Sequence, residues 1–274
     1  MIVHQPFQFS IGDIQITGFG LAVLLGFVIA QIVAQRELAR KGHDPTPIGD
    51  LIFWAAAGSL ISAKVYYAIL VGDASALFSR GGFVFWGGLI GGIVTVSIVI
   101  IRKNLPFFRI AEVAGPAIAA AYAVGRTGCW AVGDDYGRPW NGPLAVQFPQ
   151  GAPPSTVAIM QREFGTTPPP GSLPTDVLAV HPTQLYETAM AMAMFFILWR
   201  LRGHRHAEGW LFGVYMVLAG LERFIVEFFR AKDDRFFGII TLAQIFALGF
   251  VIFGGAWMVW RRGSGMGNRE PGIA

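Results

Sequence analysis

Seven stretches of this chain are each apolar over about the length of a membrane crossing, and no other feature narrows its fold as much. A helix needs about 20 apolar residues to cross a hydrocarbon layer of roughly 30 Å. Within lipid, only helices and closed barrels satisfy their own backbone polar groups. The stretches fall at about residues 17–34, 48–70, 83–101, 107–130, 185–201, 210–229 and 239–260. Composition agrees: charged residues make up 14% of the chain and hydrophobic ones 54%, against about 25% charged in a soluble domain. The expected fold is therefore an all-α polytopic membrane protein, one membrane domain over residues 1–274 with seven transmembrane helices.

Basic residues set the orientation, because cytoplasmic loops carry the excess of Lys and Arg. Arg36, Arg40 and Lys41 follow the first stretch, and Arg102, Lys103 and Arg109 the third. Arg200, Arg202 and Arg205 follow the fifth, and Arg261, Arg262 and Arg269 the seventh. All four groups fall on one side, so the N-terminus is expected outside and the C-terminus in the cytoplasm. The loop 230–235, on the other side, is also basic through Arg230, Lys232 and Arg235. Charges there would attract anionic headgroups, at about 1 kcal/mol each near the surface. The opening MIVHQPFQFSIGDI has no basic segment ahead of its apolar run, unlike a cleaved signal peptide. A net charge of +4 without a long basic tract does not point to nucleic acid as a partner.

One connection is long. Residues 131–180, rich in Pro and Gly, are expected to form a small, largely non-helical extracytoplasmic cap with a short strand in LAVQF. Asp134 and Tyr136 should face the cavity beneath it. The run GGFVFWGGLIGG suits close packing between helices.

Polar residues inside the apolar stretches need a reason to be there, since a central Arg or Lys costs roughly 2.5–3.5 kcal/mol on insertion scales. They are Lys64, beside Tyr66 and Tyr67, then Arg126, Glu187, Glu222, Arg223 and Glu227. Arg223, Glu227 and Arg230 lie at i, i+4 and i+7, on one helix face. Arg223 sits six residues from the end of its stretch, or about 9 Å at 1.5 Å per residue. That is headgroup depth, and Arg126 reaches a similar level. Two guanidiniums there would hold a phosphodiester bidentately; alternatively, Arg223 and Glu227 neutralise each other and lock the bundle. The lone thiol, Cys129, suits a small buried hydrophobe better than a nucleophile. The five His residues do not cluster with acids at ligand spacing, so no metal or cofactor is implied.

Two segments flank the long connection. GRTGCWAVGDDYGRP, residues 125–139, has glycines that permit tight turns and close approach. HPTQLYE, residues 181–187, reads as a helix entrance with Pro182 and Thr183 at its start, or as the source of His181, Gln184 and Tyr186 for a site under the cap.

Together, GR-x-GC-x3-GDDYG-x-P, HPTQLYE, ERFIVEFFR and then Gln244 resemble the prolipoprotein diacylglyceryl transferases in motif, order and spacing. The resemblance covers most of the chain. It implies an inner-membrane enzyme of bacteria that moves the diacylglyceryl group of phosphatidylglycerol onto the lipobox cysteine of a prolipoprotein. A thioether forms and glycerol phosphate leaves. It implies seven spans with the N-terminus outside. Arg126 and Arg223 would be the essential arginines, Asp134 the motif acid and Glu227 the acid of the sixth span. Gly137, Gln184, Arg230 and Gln244 would lie along the lipid. The chain departs from the family at Trp86, Phe19, Cys129 and Ala219, where a His, a Tyr, an Asn and a Tyr are usual. The acceptor of the thiol proton stays open among His181, Tyr186 and Asp134. A relative acting on a different acceptor, or a non-catalytic phospholipid-binding or transport protein, would share the same bundle.

Overall fold

A computed structural model describes residues 2–12, 14–79, 82–167, 169–231, 235–236 and 240–263. Lys232 and Arg269, which entered the charge argument, lie outside these residues. The long helices are α1 (Gly18–Arg40), α2 (Pro47–Val71), α3 (Phe85–Arg102) and α4 (Phe107–Val132). A short helix, α5 (Val157–Phe164), precedes α6 (Thr183–Leu201), α7 (Trp210–Val226) and α8 (Leu242–Gly263). Local chemistry sets several ends. Thr17 caps α1 by accepting from the Gly20 amide at 3.2 Å. Pro47 opens α2, and left-handed glycines, Gly72 and Gly133, close α2 and α4.

Five helices, α1 to α4 and α8, are long and apolar enough to cross a membrane. The chain is thus a polytopic membrane protein. Helices α6 and α7 are not among the five: α7 has 17 residues, and α6 buries Thr183, Gln184 and Glu187. Both pack against α4 and against each other. α4 is the interior element, since 56% of its most apolar window is buried against 33% or less in the other four spans.

Small residues make that position possible. Apolar burial does not drive helix association within lipid, so close backbone approach and polar contacts must do so. A Cβ at Gly128 would meet the backbone of Phe19 in α1 at 3.2 Å, and one at Gly115 would meet Tyr215 in α7 at 3.2 Å. The glycine run of α3 serves the same end: Gly87, Gly91 and Gly92 lie against Ser59, Ser62 and Ala63 of α2. Gly220 and Gly254 bring α7 and α8 together.

One end of the bundle is held by Glu112, fully buried at the start of α4. It pairs with Lys41, which caps the C-terminal end of α1, at 3.1 Å and approaches His204 Nε2 at 2.6 Å. It also accepts from the amides of Gly209 at 2.8 Å and Leu211 at 3.1 Å. One carboxylate thereby joins α1, α4 and the α6–α7 turn while capping α7.

At the other end, the chain between α4 and α6 forms a compact layer. β2 (Val146–Gln147), within LAVQF, pairs antiparallel with β3 (Ala179–Val180) and parallel with β1 (Ile2–Val3) at the N-terminus. Phe148, Met160, Val180 and Tyr136 form its small core, with Ala231 beside them. Two features differ from the sequence-based expectation. The segment contains a helix, α5, and the N-terminal strand completes its sheet. A single amphipathic turn pair and a two-residue strand are too short for periodicity to reveal.

Replacing Glu112 with Ala strands Lys41 and two helix-terminal amides, and should lower stability by about 3 kcal/mol. Thermal unfolding of the detergent-solubilised protein should show the loss, with Glu112→Gln falling between mutant and parent. An unchanged midpoint for Glu112→Ala would remove this carboxylate as an anchor.

Candidate active site

The three polar motifs, far apart in sequence, meet where α4 ends, α6 begins and α7 ends. Backbone bonds join them. The Gly137 amide donates to the His181 carbonyl at 2.8 Å, and the Arg138 amide to the Phe229 carbonyl at 2.8 Å. Arg138 Nε reaches the Arg230 carbonyl at 2.8 Å. Gly137 lies so close to the Phe229 carbonyl, His181 and Thr183 that any Cβ would collide. This close approach is why glycine is needed there. α7 stops at Val226 because the carbonyl of Phe229 and the backbone of Arg230 are taken up by the signature loop. Arg223 is therefore three residues from its helix end, about 4.5 Å rather than 9 Å.

Glu187 lies at the centre, 1% exposed. It forms an ion pair with Arg126 and lies 3.7 Å from Arg230 and 4.0 Å from Arg223. Asp135 is the second bridge, with Oδ2 2.9 Å from Arg126 Nη1 and Oδ1 2.8 Å from Arg230 Nη2. Glu227, buried, pairs with Arg223 at 2.6 Å. The site thus joins three guanidiniums to three carboxylates. The Arg223–Glu227 lock is present, and Arg223 is still a third exposed. Arg126, at 9%, is the enclosed one.

Asp135 has φ +58°, a conformation that costs an L-residue roughly 1–2 kcal/mol, though Asp tolerates it better than most. Its carbonyl accepts from the Thr183 hydroxyl at 2.7 Å, and the Asp134 carbonyl accepts from Gln184 Nε2 at 2.6 Å. Both side chains are fully buried. Gln184 thus braces the signature backbone. Desolvation opposes ionisation of Asp135, but Arg230 and Arg126 outweigh it and hold the carboxyl at about 2. Asp134 goes the other way: burial, with the Asp135 charge beside it, pushes it up to about 6. Its buried Oδ1 has no hydrogen-bond partner.

Other expected residues fall elsewhere. Tyr136 does not face a cavity; it is buried in the loop core, its hydroxyl donating to the Pro153 carbonyl at 2.9 Å. His181 stacks on Trp140 with ring centres 4.3 Å apart, and its Nδ1 lies 3.3 Å from the Tyr186 hydroxyl. Burial and the Arg138 charge push its imidazole below the usual range, which keeps it neutral at pH 7. Gln244 is engaged locally. It completes a capping box at the start of α8, where the Thr241 amide donates to its Oε1 at 3.0 Å and its own amide donates to Thr241 Oγ1 at 3.2 Å. Cys129 is buried with Arg126 Nη1 3.3 Å from its sulfur. Among the described residues, no group of three or more His, Cys, Asp or Glu could hold a metal ion.

Sequence reasoning passed over Asp135 in favour of its neighbour and left Glu187 without a role. The available signal was charge balance. A carboxylate in an apolar stretch, at the start of α6, needs a cation from another helix, and Arg126 and Arg223 were the candidates.

The sequence model of the prolipoprotein diacylglyceryl transferase family matches residues 6–260. A phosphatidylglycerol–prolipoprotein diacylglyceryl transferase of Vibrio cholerae serotype O1 is 32% identical, covering 93% of this chain and 91% of its own length. Proteins of the same name from Lysinibacillus sphaericus and Pseudomonas aeruginosa are 29% and 28% identical, over 94% and 93% of this chain and 92% and 93% of their own lengths. With its three motifs joined in one arginine–carboxylate site and nearly its whole length matched, the chain belongs to the prolipoprotein diacylglyceryl transferase family.

Proposed function

We propose that this chain transfers the diacylglyceryl group of phosphatidylglycerol to the lipobox cysteine thiol of prolipoproteins. The observation that carries the reading is the match of the family over residues 6–260, with the arginines Arg126, Arg223 and Arg230 gathered at one end of the bundle. In the reaction the thiol proton passes to a base and sulfur bonds to the glyceryl carbon. The bond from that carbon to phosphate oxygen breaks, and glycerol phosphate leaves with the electron pair. Negative charge grows on the departing phosphate, where fixed guanidiniums stabilise it most. Arg223, the more exposed, meets the headgroup first, and Arg126 acts from the enclosed side. Asp134 is the proton acceptor: its Oδ1 has no hydrogen-bond partner, and with its carboxyl near 6 it is mostly ionised at neutral pH.

The chain acts as a seven-span protein of the bacterial inner membrane, with α6 and α7 as the two polar spans. The segment between α4 and α6 is the extracytoplasmic cap, and the N-terminus is outside. Reporter fusions after Arg36, Arg102, Arg200 and Arg262 should all read as cytoplasmic. Two of the four reading as external would reject this orientation.

Purified protein incubated with phosphatidylglycerol and a lipobox peptide should yield thioether-linked diacylglyceryl peptide. Glycerol phosphate release without peptide modification would mean another acceptor, and lipid binding alone a binding protein. Arg223→Lys keeps the charge but loses the planar fork. It and Arg126→Lys should each lose about a hundred- to thousandfold in rate. Because Arg126 is enclosed by Glu187 and Asp135, its Ala variant should lose folded yield as well as rate. Near-normal turnover in both Lys variants would disprove a shared phosphate site.

The pH dependence follows from Asp134. The base must be unprotonated, so its raised value costs activity as pH falls. Turnover should be level above about pH 7 and drop close to tenfold per unit below about pH 6. Asp134→Asn should lower the plateau and abolish that limb. An unaltered acid limb in the Asn variant would exclude Asp134 as the base.

A further inference from the structure

Asp135 has the geometry of a bound phosphate. Its two oxygens go to two different guanidiniums, 2.9 Å to Arg126 and 2.8 Å to Arg230, as two oxygens of a phosphate ester would. We propose that Asp135 is a tethered anion holding the phosphate position between Arg126 and Arg230, and that a phosphate ester binds there by displacing it. The proposal rests on the transferase reading and adds to it Arg230 as a direct phosphate ligand and Asp135 as the group that competes with substrate.

Three further observations carry it. Charge is the first. Arg126, Arg223 and Arg230 are paired with Asp135, Glu187 and Glu227, three against three. With Asp135 moved out, these three arginines keep two of their three carboxylate partners, and a phosphodiester restores the third negative charge. Access is the second. The Asp135 side chain is 41% exposed, while Glu187 and Glu227 are at 2% and 3%. Of the three carboxylates, only Asp135 can leave without passing through packed protein. Backbone conformation is the third. Asp135 is held at φ +58° while its carbonyl is fixed by Thr183. The side chain is therefore aimed into the arginine pair by a backbone that need not move when the carboxylate turns away.

The site is available to ligand only for the fraction of time in which Asp135 is out, and apparent affinity falls by that fraction. Removing the carboxylate should tighten binding. Asp135→Asn tests this, because Asn accepts the same left-handed backbone but carries no charge. Asp135→Gly tests it without any side chain. The readout is protection of the full-length protein against thermal unfolding by glycerol phosphate, which requires no turnover. Both variants should melt below the parent without ligand, and glycerol phosphate should protect them at about tenfold lower concentration than the parent. In the transfer assay, KM for phosphatidylglycerol should fall by a similar factor, which distinguishes the lipid from the free product as occupant. If Asp135→Asn and Asp135→Gly both fold and gain no protection by glycerol phosphate, the placeholder role is overturned. A parent unable to modify the lipobox peptide, with protection still enhanced in the variants, would refute the transferase reading and leave the anion site standing.

Discussion

The site end of this protein depends on one buried carboxylate, Glu187. A charge 1% exposed inside a membrane bundle is tenable only if cations surround it. They come from α4, through Arg126, and from the end of α7, through Arg223 and Arg230. Meeting that need fixes the rotation of α6 and the depth of Arg126. Removing any one partner would leave another buried charge exposed to low dielectric. Glu187 is therefore held with its arginines whichever anion occupies the Asp135 position.

α4 is pinned at both ends by such polar contacts and packed by small residues between them. At one end Glu112 gathers α1 and the α6–α7 turn; at the other Arg126 gathers α6 and the signature loop. Between them, Gly115 and Gly128 let α7 and α1 approach its backbone. Lipid gives no hydrophobic drive to this association, so contact distance and polar pairing carry the packing.

The polar residues of the motifs divide into two kinds. Thr183, Gln184 and Arg138 spend their hydrogen bonds on carbonyls of the signature loop and of the α7 end. They hold the backbone in place. Arg126, Arg223, Arg230, Asp134 and Asp135 present charge. Gly137 belongs to the first kind, since only a residue without Cβ lets the loop pass between Phe229 and His181. Such bracing keeps the charged groups in place without the reorganisation that water would require.

Apolar length and composition alone determined that the chain is a helical membrane protein, because no soluble surface can be built from so little charge. Spacing alone placed the motifs at helix ends, since Gly, Pro and Thr punctuate helices by local conformation. Arg126, Arg223 and Glu227 were legible because a charge in an apolar run needs an explanation. Which acid serves which arginine was decided only by tertiary structure. Asp134 and Asp135 are neighbours in sequence, yet the left-handed backbone at Asp135 sends its carboxylate to the arginines and leaves Asp134 half-buried, with Oδ1 unpartnered and a raised pKa. The resemblance sets Gln244 along the lipid, and the structure shows its side chain and amide engaged in a capping box at the start of α8. The N-terminal strand that completes the loop sheet was likewise out of reach, because its two residues pair with partners more than 140 positions away. Local rules act within a few residues. Ion pairs between helices depend on where the whole bundle places their ends.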